Sequence, residues 1–349
     1  MEAPVEAEQL DMHLREFLFS QLRSGSVCKN NFVIKPPKYS IVSEAYFIYK
    51  ECYEKFVNEG IMTLKEINEW MINRDLWSKD LDSLLIEKQK LVEDVKFDIY
   101  KNRSNKKKVN EGILKVKFIE KEIKKLNDTK NSFYDQTCEF LADDTRINFV
   151  LKHSSFYKNK RIKPCALDRV KSIYYSSFLD EYTLRFIAIK DPWLTLWLTS
   201  CKSNLKLFCN KEDEDLTINQ KNIMSWSYTF DQLRNSHEPP PKECWENHYV
   251  MDGFLIHLNR QEKTSNSKNN IDSHIRSSKI KNASTRIIFP QENISVDDIN
   301  NSNDESAKKI IQDRENQFKS GGVKSFSDFN DIKGQDEIKK MNAIKKAYK

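Results

Sequence analysis

Two stretches of helical periodicity on either side of residue 105 constrain the fold of this chain more than any other feature. Within residues 78–101 and again within 109–130, apolar residues recur every three or four positions, which places them on one face of an α-helix. The polar residues between the two stretches are few, so the helices are predicted to fold back on each other as an antiparallel αα-hairpin. Arms of about 22 residues would span about 33 Å.

The composition also favours helices. Of the 349 residues 38% are apolar and 32% are charged, and the chain has only seven glycines and nine prolines. Glycine supplies the positive-φ positions that tight turns and phosphate-binding loops require. The glycines are too far apart to build such a loop or the sharp turn that exposes a nucleophilic serine. Most nucleotide-binding enzymes and the α/β-hydrolases are therefore excluded.

Changes in composition divide the chain into five predicted segments. Residues 264–305 contain eight serines and eight asparagines without a sustained period, and residues 306–349 contain 11 basic and six acidic residues. The segments are an N-terminal helical segment (1–77), a helical hairpin (78–130), a helical core (131–263), a disordered linker (264–305) and a basic helical tail (306–349). The predicted fold class is all-α: a helical body with a projecting antiparallel αα-hairpin, a disordered linker and short C-terminal helices.

Two helix starts are marked by capping boxes, in which an N-terminal threonine and a residue three positions later each satisfy a backbone N–H of the other. The first is Thr63 with Glu66, and the second is Thr217 with Gln220. Each pair stands directly before an apolar stripe of helical spacing. Helices are therefore predicted to begin after Thr63 and after Thr217.

Two groups of side chains are candidates for chemistry. Glu139 and Asp143 lie one helical turn apart, with Asp144 next to Asp143. This spacing suits a metal ion or a general acid and base, but also a solvated, salt-bridged face. The soft metal ligands are Cys201, Cys209, Cys244 and His248. Cys201 and Cys209 are separated by more residues than the short loop between two zinc ligands usually contains. This spacing favours ordinary thiols. We predict no catalytic residue, no cofactor and no metal, and the protein is not expected to be an enzyme.

A basic cluster at the predicted hairpin tip is the candidate contact site. Its members are Lys101, Arg103, Lys106, Lys107 and Lys108. A second basic group in the tail comprises Lys339, Lys340, Lys345 and Lys346. Such clusters attract anionic partners. No aromatic residue is interleaved in the tip, so any contact with nucleic acid would be made to phosphates and not to bases.

Three sequence features bear on the compartment. The seven cysteines are odd in number, which favours a reducing environment. Residues 1–9 contain three glutamates and no apolar stretch, unlike a targeting leader. The most apolar stretch, residues 193–198, is much shorter than the roughly 20 residues of a bilayer-spanning helix. The expected location is the cytoplasm or a particle assembled there, without membrane contact.

Three motifs together resemble a known group of proteins. They are Arg74–Asp80 (RDLWSKD), Trp193–Trp197 (WLTLW) and Met251–Phe254 (MDGF). This combination is similar to helical proteins encoded within the tail modules of tailed bacteriophages, over roughly residues 70–260. The resemblance implies a non-enzymatic structural or assembly protein, adaptor-like or chaperone-like, that contacts other phage tail or baseplate proteins. It would act in the host cytoplasm during assembly and is a candidate component of the virion. The alternative is a nucleic-acid-binding protein that uses the basic tip and tail.

Overall fold

The structure is a computed structural model that describes residues 12–203 and 205–277. The helices are α1 (Met12–Ser24), α2 (Tyr39–Asn58), α3 (Leu64–Asn73), α4 (Lys79–Lys101), α5 (Lys106–Lys130), α6 (Cys138–Ser154), α7 (Leu167–Ser176), α8 (Glu181–Ala188), α9 (Trp193–Lys202), α10 (Ile218–Arg234), α11 (Lys242–Glu246) and α12 (His248–Ser277). The strands are β1 (Val27–Lys29), β2 (Phe32–Ile34), β3 (Ser155–Tyr157) and β4 (Lys160–Arg161). The protein is thus mostly helical, which supports the predicted all-α class.

The chain divides into two compact units, Met1–Ile256 and His257–Lys349. Of the second unit the structure describes residues 257–277, and these are helical throughout. Residues 264–277, which were predicted to begin a disordered linker, are therefore part of α12. A helix that has already formed is extended at low cost even through polar residues. The remainder of the predicted linker and the whole predicted tail lie outside the described residues.

Both predicted capping boxes are confirmed. The backbone N–H of Thr63 donates to Glu66 Oε2 at 2.7 Å, and the N–H of Glu66 donates back to Thr63 Oγ1 at 3.3 Å. At the start of α10 the N–H of Thr217 donates to Gln220 Oε1 at 2.9 Å, and the return bond to Thr217 Oγ1 is 3.4 Å. These bonds satisfy backbone groups that a helix start leaves without partners.

A small antiparallel sheet, which the sequence does not predict, packs against the helices. Its strand order is β1-β2-β3-β4, and Phe32 lies opposite Tyr157 at its centre. The two hairpin turns, Asn30-Asn31 and Lys158-Asn159, have positive φ angles throughout, which matches the right-handed twist of the flanking strands. The buried residues beneath the sheet, from β2, α6, α7 and the segment after β4, are Phe32, Ile34, Leu151, Ile162, Val170 and Ile173.

Helices α4 and α5 pack against each other along their length and are called the α4–α5 pair below. The buried residues of the pair are Leu85, Val92, Val95, Ile99, Val109, Val116 and Ile119. Three ion pairs cross the interface between the two helices, which is called the seam below. Lys88 Nζ lies 2.6 Å from Glu122 Oε2, Lys96 Nζ lies 3.4 Å from Glu120 Oε1, and Lys130 Nζ lies 2.7 Å from Asp82 Oδ1. The seam therefore combines a narrow apolar stripe with charged borders.

Candidate functional site

A buried carboxylate, Asp252 of α12, joins three helices at one side of the α4–α5 pair. Asp252 is 8% exposed. Its Oδ2 lies 3.0 Å from Lys96 Nζ of α4, and its Oδ1 accepts a hydrogen bond from the Arg185 guanidinium of α8. Lys96 also lies 3.4 Å from Glu120 Oε1 of α5. Burial opposes the charge of Lys96, but Asp252 and Glu120 outweigh burial and raise the Lys96 pKa.

The next residue, Gly253, lets α12 approach the backbone of α4. A Cβ atom at this position would lie 2.1 Å from the carbonyl oxygen of Lys96 and 2.6 Å from Tyr100 Cβ. Phe254 then packs its ring edge-on against Tyr100, with the centroids 5.5 Å apart. Charge pairing and close backbone packing therefore hold α4 on α12.

An imidazole surrounded by tyrosines lies beside this charge cluster. The His248 ring centroid is 4.2 Å from those of Tyr182 and Tyr249. Burial lowers the pKa of His248 to about 4 and raises the pKa of Tyr249 to about 12. Burial likewise raises the pKa of Tyr182. All three groups are therefore neutral near pH 7.

The free energy of unfolding is expected to fall as the pH drops from 7 to 4. In the unfolded chain His248 takes up a proton near its ordinary pKa of about 6.5, whereas the folded protein does so only near pH 4. Between these values the unfolded state binds more protons, so acid favours unfolding. The contribution at pH 4 is on the order of 2 kcal/mol after allowance for partial exposure.

Urea denaturation of the wild type and of His248→Phe at several pH values measures this contribution. The substitution keeps an aromatic ring and removes the titration, so the stability difference between the two proteins should change with pH. Asp252, Arg185, Lys96 and Lys117 also act on His248 electrostatically, and all four are present in both proteins. The same pH dependence in both proteins would contradict the assignment.

The cluster predicted at the hairpin tip lies at the junction of α4 and α5. The Lys101 ammonium lies 4.2 Å from the centroid of the Phe97 ring. Arg103 stacks over Tyr100 and donates to its carbonyl oxygen at 3.3 Å. Lys106, Lys107 and Lys108 form the exposed first turn of α5, where positive charge opposes the helix dipole. The tail residues Lys339, Lys340, Lys345 and Lys346 lie outside the described residues.

The sequence prediction missed a second cationic element, the side of α5 that faces away from the seam. A stripe along this side, called the outer face below, consists of Lys107, Glu111, Leu114, Phe118, Lys121 and Lys125. Leu114 is 68% exposed and Phe118 is 63% exposed. The available signal was their spacing of four residues, one helical turn, outside the apolar stripe that forms the seam.

The charges of α5 are segregated between its two sides. The exposed lysines of α5 are Lys106, Lys107, Lys108, Lys115, Lys117, Lys121, Lys124 and Lys125. Two exposed acidic residues, Glu111 and Asp128, accompany these eight lysines, which leaves a net charge of +6 on the exposed side. The other two acidic residues of α5, Glu120 and Glu122, pair with α4 lysines at the seam. The exposed side of α5 is therefore strongly cationic.

The three carboxylates considered for catalysis bind separate partners. Glu139 Oε2 accepts from the backbone N–H of Leu64 at 2.8 Å. Asp143 pairs with Arg146 at 2.7 Å, and Asp144 pairs with Lys171 at 2.5 Å. Each carboxylate is thus occupied by a structural interaction.

The cysteines considered as metal ligands differ in their exposure to solvent. Cys201 and Cys209 are exposed, whereas Cys244 is buried and burial raises its pKa to about 12. Within residues 12–203 and 205–277, no three His, Cys, Asp or Glu side chains are grouped so that they could hold a metal ion. None of the helices in these ranges is both long enough and apolar enough to cross a membrane.

A shallow apolar groove of about 300 Å³ lies between α2 and α3. Its lining residues are Val57, Gly60, Ile61, Met62, Glu66 and Trp70. The Glu66 carboxylate belongs to the capping box with Thr63, so it already has a structural role. The groove therefore does not bring together the polar groups that an acid–base reaction needs.

Comparison of the chain with protein-family models, with curated proteins and with solved structures finds no match. The site is therefore interpreted from its own geometry.

Proposed function

We propose that this protein is a non-enzymatic adaptor or assembly protein that binds its partners through the α4–α5 pair, whose exposed side acts as a docking surface. The observation that carries the proposal is the net charge of +6 on the exposed side of α5. Asp252 and Gly253 of α12 hold the pair at Lys96, close to the turn that joins α4 to α5, so a bound partner would be held in a defined orientation. The segment 306–349, with a net charge of +5, would add a second cationic contact element.

The proposed setting is the assembly of a bacteriophage tail or baseplate. Support for this setting comes from the sequence resemblance through the motifs Arg74–Asp80, Trp193–Trp197 and Met251–Phe254. The partners would be other tail or baseplate proteins, met in the host cytoplasm during assembly. Co-purification from infected cells and from finished particles would separate a virion component from an assembly factor.

The alternative is a nucleic-acid-binding protein that uses the same cations. The exposed lysines of the first turn of α5 favour this alternative, since their ammonium groups could contact phosphates. Phosphate contacts release counterions, so DNA affinity would fall steeply between low and moderate salt. A duplex DNA titration at 50 and 200 mM salt tests this; absence of binding at the lower salt would eliminate the alternative.

Charge reversal at the tip is expected to weaken partner binding by about tenfold or more. The test variant is Lys106→Glu/Lys107→Glu/Lys108→Glu, which replaces attraction with repulsion at the start of α5. The matched control is Lys152→Glu/Lys202→Glu/Lys211→Glu, which changes the net charge equally at exposed positions elsewhere in the chain. Quantitative co-purification of partner proteins is the measurement. Equal recovery by the two variants would contradict the proposed function.

A further inference from the structure

We propose that the outer face of α5 docks an acidic amphipathic α-helix of a partner protein, whose apolar side chains cover Leu114 and Phe118. The inference rests on the proposed function, because it names the chemistry of the partner that the same helix pair would bind.

The apolar part of the outer face has the spacing of a helix-docking anchor. Single exposed apolar side chains are common on protein surfaces. Leu114 and Phe118, however, lie one turn apart at the middle of the stripe, and each is more than 60% exposed. A partner helix with apolar residues every three or four positions can pack against such a pair. The stripe from Lys107 to Lys125 is about 27 Å long, which matches about five turns of a helix.

The charges around this anchor specify an acidic partner. Lys121 and Lys125 continue the stripe on one side of the apolar pair, and Lys107 lies at its other end. Lys115 and Lys117 are exposed next to the pair. Because Glu120 and Glu122 are paired with α4 lysines, they are directed to the seam and not to the outer face. Acidic residues on both flanks of a partner helix would supply the complementary charge.

Other anionic partners fit the outer face less well. A sugar–phosphate backbone can pair with lysines but offers little apolar surface to cover Leu114 and Phe118. A helix that lies in a membrane surface needs a broad apolar face, whereas the outer face has two large apolar side chains and includes Glu111. Duplex DNA and anionic vesicles therefore serve as competing probes in the test.

The experiment measures binding of the full-length protein to a synthetic helical peptide of about 20 residues by isothermal titration calorimetry. The peptide has leucine every three or four positions and glutamate on both flanks, and its control has lysine in place of glutamate. A dissociation constant of about 1 to 10 µM is expected for the acidic peptide, with much weaker binding of the basic one. Parallel titrations use a DNA duplex and vesicles that contain anionic lipid.

Two variants locate the binding site. Leu114→Ala/Phe118→Ala is expected to weaken peptide binding about tenfold or more. The matched control, Phe47→Ala/Leu205→Ala, removes the same side-chain types at positions that are 60% and 55% exposed on other parts of the chain. That control should bind like the wild type, and circular dichroism would verify that both variants are folded.

Several outcomes overturn the inference. They are equal peptide binding by the two variants, equal binding of the acidic and basic peptides, and tighter binding of DNA or vesicles than of the acidic peptide. If partner recovery requires Lys106, Lys107 and Lys108 but is unchanged in Leu114→Ala/Phe118→Ala, this inference fails and the proposed function stands. If charge reversal of these lysines has no effect on partner recovery, the proposed function fails.

Discussion

Asp252→Ala is expected to lower the free energy of unfolding by about 3 to 5 kcal/mol. The substitution removes the carboxylate that Lys96 and Arg185 share, and these two side chains are only 15% and 11% exposed. Lys96 keeps Glu120, and Arg185 keeps Glu181 at 2.6 Å, but two largely buried cations then lose their common counter-charge. Removal of one partner from a buried charge cluster is costly because the remaining charges are poorly solvated.

Asp213→Ala is the matched control for this effect. Asp213 also pairs with a lysine, Lys38, at 2.5 Å, but both side chains are about half exposed to solvent. Water replaces the lost partner there, so a much smaller change is expected. Urea denaturation followed by tryptophan fluorescence compares the two variants. Similar losses of stability would show that the Asp252 cluster is not a principal anchor of α4.

Gly253→Ala is expected to destabilise the fold by about 3 kcal/mol, at the upper end of the usual range for overpacking. The added methyl group would lie 2.1 Å from the Lys96 carbonyl oxygen. A backbone carbonyl cannot rotate away as a side chain can, so α12 and α4 must separate. That separation would also lengthen the ion pair between Asp252 and Lys96.

Gly112→Ala, at a helical glycine in the seam, is the comparison for this prediction. A Cβ atom there would lie 2.5 Å from Ile99 Cγ1, but this contact is to a side chain that can adjust. The higher helix propensity of alanine, worth about 1 kcal/mol, applies equally at both glycines because both lie inside helices, so the comparison isolates the clash. Thermal denaturation should therefore show a clearly larger loss for Gly253→Ala. An equal or smaller loss would mean that α12 and α4 can move apart easily.

Local signals in the sequence predicted local structure well. The capping boxes at Thr63 and Thr217 are confirmed because each depends on two residues three positions apart. The sheet was missed for the opposite reason: its strands have only two or three residues, and pairing between Phe32 and Tyr157 joins distant parts of the chain. The turn Asn30-Asn31 did carry a hairpin signal, but such short strands show no alternating pattern.

The candidate site was predictable in part. The tip has five basic residues within eight positions, so composition alone singled them out. Leu114 and Phe118 fall outside the apolar stripe of the seam, and periodicity analysis directs attention to that stripe. The contact between Lys96 and Asp252 spans more than 150 positions, and no local pattern encodes a pairing of that range. The motif Met251–Phe254 was noted for its resemblance, whereas its packing role emerges only from the position of Gly253 against α4.

The pairing of β2 with β3 has a consequence for how the protein is made. Roughly 120 residues separate Ile34 from its partner Ser155, so β2 leaves the ribosome long before β3 exists. At a synthesis rate of about 5 to 20 residues per second, the waiting time is about 6 to 24 s. The contacts between α4 and α5 span fewer residues and become available within that interval. The nascent chain can therefore form helices early, while the central strand pair of the sheet closes late.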